Sequence, residues 1–247
     1  MRLTESSSTP TPAAGPGPSA AQHRVAEVHG PTGEREEIAP TPRTAFKRLP
    51  ERGTHDREAI WSILDDACYC HVGFVTEDGP IVIPTSFGRD DDVLYIHGSP
   101  ASRMMRTLKR GVPVCATVTI LDGLVLARSA IHHSVNYRSV VIFAEATEVT
   151  GLDAKRSALL RIVDHVVPGR SADARPPTDK EVKGTTVLAL GIDEASAKVR
   201  TGGPHDEQAD LALPVWAGVV PISAHRAAPV AEPDLDPSVP LPGYLSS

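Results

Sequence analysis

Residues 69–97 read YCHVGFVTEDGPIVIPTSFGRDDDVLYIH. Three stretches inside it, YCHVGFVT (69–76), PIVIPTSF (80–87) and VLYIH (93–97), are rich in β-branched and aromatic residues. Glu77-Asp78-Gly79 and the Gly88–Asp92 segment supply turn chemistry between them, so consecutive strands joined by short turns are predicted. Outward from this core, PVCATVTIL (113–121) predicts another strand, stopped by an Asp122-Gly123 turn. SVNYRSVVIFAEATEVT (134–150) predicts a long strand or one broken by a bulge, and 185–193 and 197–200 the last strands. Helical spacing of apolar residues predicts helices over 56–67, with Thr54 and Asp56 as cap candidates, and over 152–167. GSPASRMMRTLKRG (98–111) predicts a third, with Ser99 as N-cap, Pro100 at its first position and Gly111 at its end. Few helices lie between strands. The fold class is therefore mainly β with flanking helices, an antiparallel sheet closed into a small barrel.

The chain has 247 residues and 23 prolines, of which seven lie in residues 1–43 and five in 223–247. Neither end has periodic apolar residues, so both are expected as disordered Pro-rich tails. One domain of about 180 residues (44–222) remains. The net charge of −6 argues against nucleic acid as a partner. No apolar run is long enough for a membrane span and no secretory signal opens the chain, so no membrane is expected. Three cysteines fit a reducing compartment, and a cytoplasmic location is expected. Cys68 and Cys70 form a C-x-C with no second pair to complete a tetrahedral site. They are read as core thiols, and no metal site is expected.

Common nucleotide loops, zinc-protease helices and nucleophile elbows are absent. The chemistry must come from polar residues set into apolar strands. Thr85-Ser86 offers two hydroxyls near a strand end. In HGSPASR (97–103) a strand runs into a helix start, where free N–H groups, Ser99, Ser102 and Arg103 favour an anion. Asn136, the sole asparagine, lies in SVNYRS (134–139); alternation puts Ser134, Asn136 and Arg138 on one face and Tyr137 on the other. Lys198 and Arg200 share a strand face, and Trp216 sits in an apolar loop. Together Arg103, Arg138, Lys198 and Arg200 would form a basic cluster in an acidic chain.

These segments resemble the flavin-nucleotide-binding proteins related to pyridoxamine 5'-phosphate oxidase, near the 5-nitroimidazole reductase (Nim) branch. The residues that carry the likeness are IPTSF (83–87), YIHGSPASRMM (95–105), TILDGLVLARSAIHHSVNYRSVVIF (119–143) and SAKVRTGGPHDEQADLALPVWAGVVP (196–221). The resemblance spans roughly 45–222. It implies an FMN-binding split β-barrel that works as a homodimer, with FMN at the subunit interface. It implies cofactor contacts from Pro84, Thr85, Ser86, Ser99, Ser102, Arg103, Ser134, Asn136, Tyr137, Lys198, Arg200 and Trp216, with His97 and Arg138 catalytic. The family's basic motif for the substrate phosphate is missing near the C-terminus, so pyridoxamine 5'-phosphate itself is not the expected substrate. The implied function is an FMN-dependent oxidoreductase acting on a small organic molecule such as a nitroaromatic, with NAD(P)H or reduced flavin as electron donor. The alternative is a non-catalytic binding or carrier protein for flavin, deazaflavin or haem, with His97, His132 and His133 as the haem-ligand candidates.

Overall fold

A computed structural model describes residues 36–245. The alternating segment over 69–97 forms three strands, β2 (Tyr69–Thr76), β3 (Gly79–Asp90) and β4 (Val93–Gly98), which follow a two-residue strand β1 (Gly53–Thr54). Further along come β5 (Pro113–Leu126), β6 (Ser134–Glu145), β7 (Thr147–Glu148), β8 (Thr186–Gly191), β9 (Ala195–Arg200) and β10 (Gly218–Pro221). They make one sheet in the order β1-β9-β6-β5-β2-β3-β4-β8-β7, with β10 added to β5. Every strand pairing is antiparallel. The sheet curls round a single apolar core fed by alternate residues, such as Cys70, Val72 and Phe74 from β2 and Val140 and Ile142 from β6. This is the split-barrel architecture.

Helix α1 (Arg57–Asp65) buries Ile60, Ile63 and Leu64 at helical spacing. Of its two cap candidates, Asp56 is the cap: Oδ1 accepts from Ala59 N at 2.8 Å. Thr54 instead ends β1, its hydroxyl accepting from Asp56 N at 3.0 Å. Helix α2 (Arg103–Leu108) starts later than expected. Ser99 to Ser102 close a turn (Ser102 N to Ser99 O, 2.9 Å), and it is the Ser102 hydroxyl that accepts from Met105 N. Helix α3 (Leu152–Val166) lies across β3, where a side chain at Gly88 would meet the Ile162 backbone at 2.7 Å. Two short helices follow, α4 (Arg170–Asp173) and α5 (Asp179–Lys183), the latter with a capping box from Thr178 and Glu181.

The expected Asp122-Gly123 turn is a bulge. β5 runs on to Leu126, and the register with β6 shifts between Leu121 and Gly123, leaving Asp122 as the extra residue. Gly123 also gives β10 room, since a side chain there would touch Val219 and Val220 at 3.1 Å. The long strand over 134–150 breaks at Ala146; Thr147 and Glu148 pair with β8 instead.

The N-terminal tail expected over 1–43 lies mostly outside the described residues. Its final part belongs to the domain: Ile38 is 3% exposed and Glu37 bridges to Asp56. Residues 222–242 carry no helix or strand. Near their end Tyr244 is tied to the α4 corner: its hydroxyl donates to Asp173 at 2.7 Å and accepts from Arg170 at 3.0 Å. Cys68 is exposed and precedes β2, so the C-x-C pair does not share one strand face; Cys70 is buried, which pushes its thiol up to about 12.

Candidate functional site

The residues singled out in the sequence fall into two groups. Pro84, Thr85 and Ser86 lie on β3, and His97 ends β4, next to Ser99, Ser102 and Arg103 at the turn into α2. The β3–β4 pairing ends at Phe87 and Ile96, the residues next to Ser86 and His97 in the chain. Asn136, Tyr137 and Arg138 lie on β6, with Lys198 and Arg200 on β9. Strands β2 and β5 stand between β3 and β6 in the sheet order.

In the first group His97 is the unusual residue. Its flanking residues Ile96 and Val187, the latter its register partner, are fully buried. Nδ1 is enclosed with no hydrogen-bond partner, and neither ring nitrogen is bonded to any described residue. Burial holds the imidazole below its usual value, so it is neutral at pH 7. Beside it, Arg103 is exposed and makes no ion pair among the described residues. The Ser99 hydroxyl accepts from Ala101 N at 3.2 Å, and the Thr85 hydroxyl donates to Ser86 O at 3.2 Å.

In the second group the side chains find partners within the chain. Asn136 is buried; its amide donates to Gly202 O at 3.1 Å and its carbonyl accepts from Arg200. Arg200, 5% exposed, also donates to Gly203 O at 3.1 Å. Burial and the nearby Arg52 charge lower its pKa. The two residues thus pin the loop that leaves β9 toward Trp216. Arg138 holds the bulged Asp122 in a two-pronged pair at 3.0 and 3.1 Å and also pairs with Asp66. The hydrogen bonds it donates to Asp122 and Asp66 raise its pKa. Lys198 donates to Arg48 O at 2.9 Å and lies 5.7 Å from the Phe46 ring centre. The basic cluster expected of Arg103, Arg138, Lys198 and Arg200 is thus divided, with three of the four occupied by separate partners. Ser134 and Tyr137 make no side-chain hydrogen bond among the described residues, and Trp216 is 65% exposed. His133 bonds Ser129 O through Nδ1 at 3.1 Å, and His132 lies 3.8 Å from Glu207.

Sequence reasoning passed over residues 43–52, RTAFKRLPER, which were divided between the tail and the domain border. They cover the outer face of β6 and β9, and Arg43 pairs with Glu194. Four basic residues in ten, in an acidic chain, were the available signal.

The sequence profile described as pyridoxamine 5'-phosphate oxidase matches residues 56–199, more than half of the chain. This chain belongs to that family. Among solved structures, the flavocytochrome Anf3 from Azotobacter vinelandii shares 40% identity, covering 84% of this chain and 97% of its own, with a TM-score of 0.79. An FAD and haem binding protein from Mycobacterium smegmatis shares 38% identity over 79% of this chain and 96% of its own, with a TM-score of 0.76. A proposed 5-nitroimidazole antibiotic resistance protein from Bacteroides thetaiotaomicron shares 28% identity over 60% of this chain and 86% of its own, with a TM-score of 0.51. No curated protein matches. The family assignment and the Nim likeness read from the sequence thus hold, and the two flavin proteins are more similar than the Nim relative.

Proposed function

We propose that this protein binds a flavin and a haem and acts as an oxidoreductase, working as a homodimer. One observation carries the reading: two relatives near 40% identity, aligned over most of this chain, are a flavocytochrome and an FAD and haem binding protein. His97 supports it, because a sheltered, neutral imidazole with no partner among the described residues fits a haem-iron ligand. A bound flavin would supply hydride and single-electron transfer, and a haem single-electron transfer and small-molecule binding.

His97 would hold the iron through Nε2. Arg103, with the Ser99 and Ser102 hydroxyls, would bind the flavin phosphate, and Pro84, Thr85 and Ser86 would run along the ring. Ser134, Tyr137 and Trp216 would complete the site from the partner subunit, and Asn136 would act by pinning the loop after β9. Arg138, already neutralised by two carboxylates, orients the β5 bulge in this reading. FAD replaces FMN as the expected flavin, following the Mycobacterium relative. Reduction of a nitroaromatic is the second reading, favoured by the Bacteroides relative.

The purified protein should show a Soret band together with flavin absorption, and mass spectrometry of the acid extract should return FAD. His97→Ala should lose the Soret band and keep the flavin. A colourless protein that takes up neither group on reconstitution overturns the proposal. A Soret band that survives His97→Ala moves the ligand to His132 or His133.

A further inference from the structure

Far from His97 in the sheet order, at the β1–β9 edge, a cleft of about 320 Å³ opens between the 43–47 segment and the outer face of β6 and β9. Arg43, Lys47 and Lys198 line it and no carboxylate does, although the chain carries a net charge of −6. Two rings, Phe46 and Phe143, form apolar walls. The Ser196 hydroxyl faces it without a hydrogen-bond partner among the described residues. The walls are built in place. Gly53 lacks the Cβ that would strike the Phe46 ring at 2.4 Å, so the ring lies flat on β1. Lys198 ties the lip through Arg48 O, and Arg43 is anchored on Glu194 while its guanidinium sits 4.8 Å from the Phe143 ring centre.

A second cleft of the same volume adjoins the first, sharing Arg43 and Phe143, and brings in the carboxylates of Glu145, Asp193 and Glu194. The two clefts therefore offer cations and hydroxyls on one side, aromatic rings in the middle, and carboxylate acceptors on the other. Cations recognise phosphate, aromatic rings stack on a planar base, and carboxylates accept hydrogen bonds from ribose hydroxyls. The size is at the lower end of small-molecule sites.

We infer that this paired cleft is a nucleotide-binding site, separate from the flavin and haem positions, that takes a base, its ribose and a phosphate or pyrophosphate. Lys198 and Lys47 neutralise the phosphates, and Glu145 and Asp193 receive the ribose.

Calorimetric titration of the purified full chain with ADP should give saturable binding while the flavin and haem absorption stays unchanged. Adenosine alone and pyrophosphate alone should each bind about tenfold more weakly, because each engages one half of the site. Lys198→Gln should weaken ADP about fivefold, the loss of one close charge in a wet site. Lys47→Glu, at an exposed position with no ion pair among the described residues, should do the same or more without affecting folding. No saturable binding up to about 5 mM ADP overturns the inference. So does ADP binding that both variants leave intact, and so does release of flavin by ADP, which would put the nucleotide in the flavin's own site. A colourless protein that still binds ADP would remove the flavin and haem proposal and leave this one standing.

Discussion

His97 illustrates what one side chain can do once the barrel encloses it. Burial lowers its pKa in the folded chain, while the unfolded imidazole keeps a value of about 6.5. The unfolded state therefore takes up a proton first as pH falls. Stability contributed by keeping His97 neutral is complete above the unfolded value and is lost as pH drops below it. In cofactor-free protein, the urea midpoint should fall between pH 7.5 and pH 5.5, and His97→Gln should shrink that fall. Equal falls in both proteins would refute the assignment. The sequence marked His97 through its place before GSPASR, but burial was invisible there, because its neighbour across the sheet is Val187 on β8, 90 positions away. Asn136 shows the reverse. Its oddity in an apolar strand was legible, yet its partners were not, since Arg200 and Gly202 lie 64 and 66 positions away.

Among the elements, the contact of α3 with β3 depends on a single absent side chain. Gly88 lets the Ile162 backbone settle directly on the strand. Gly88→Ala should lift the helix and destabilise the domain by ~1–3 kcal/mol, the usual cost of overpacking a tight contact. A chemical denaturation series measures this, and an unchanged midpoint would show that the helix shifts freely. Strands β2, β3, β4 and β6 were readable within a few residues because one face of each is buried and alternation survives. Helix α2 was placed too early because Ser99 and Ser102 are both competent caps, and only the turn geometry chooses between them. Asp122-Gly123 was read as a turn because the same dipeptide serves turns and bulges, and the pairing of β5 with β6 on both sides of it decides for a bulge. Strand β10 went unread: four residues with no alternation gain their order from pairing with β5.

At the scale of the whole molecule, composition separated a Pro-rich C-terminal stretch from the domain, but could not show that Tyr244 returns to the α4 corner. Tyr244→Phe keeps the ring and removes both hydrogen bonds, worth about 1 kcal/mol at an exposed site. Proteolytic cleavage within 223–243 should then speed up about fivefold while the melting of the barrel stays the same. An unaltered cleavage rate would mean that the tie does not hold the segment. The resemblance identified the family because its motifs sit on strands that the barrel fixes. The sequence motifs describe a phosphate cradle, which points to a flavin nucleotide and carries no measure of the rest of the ligand. The lip over the β1–β9 edge adds a temporal order to this architecture. Arg48 and Lys198, which bond across it, are 150 positions apart. A nascent chain emerges with its basic segment early and must wait for nearly the whole barrel before that segment has a place to close. The edge therefore closes only once β9 has been made, and its long loop makes that closure entropically costly.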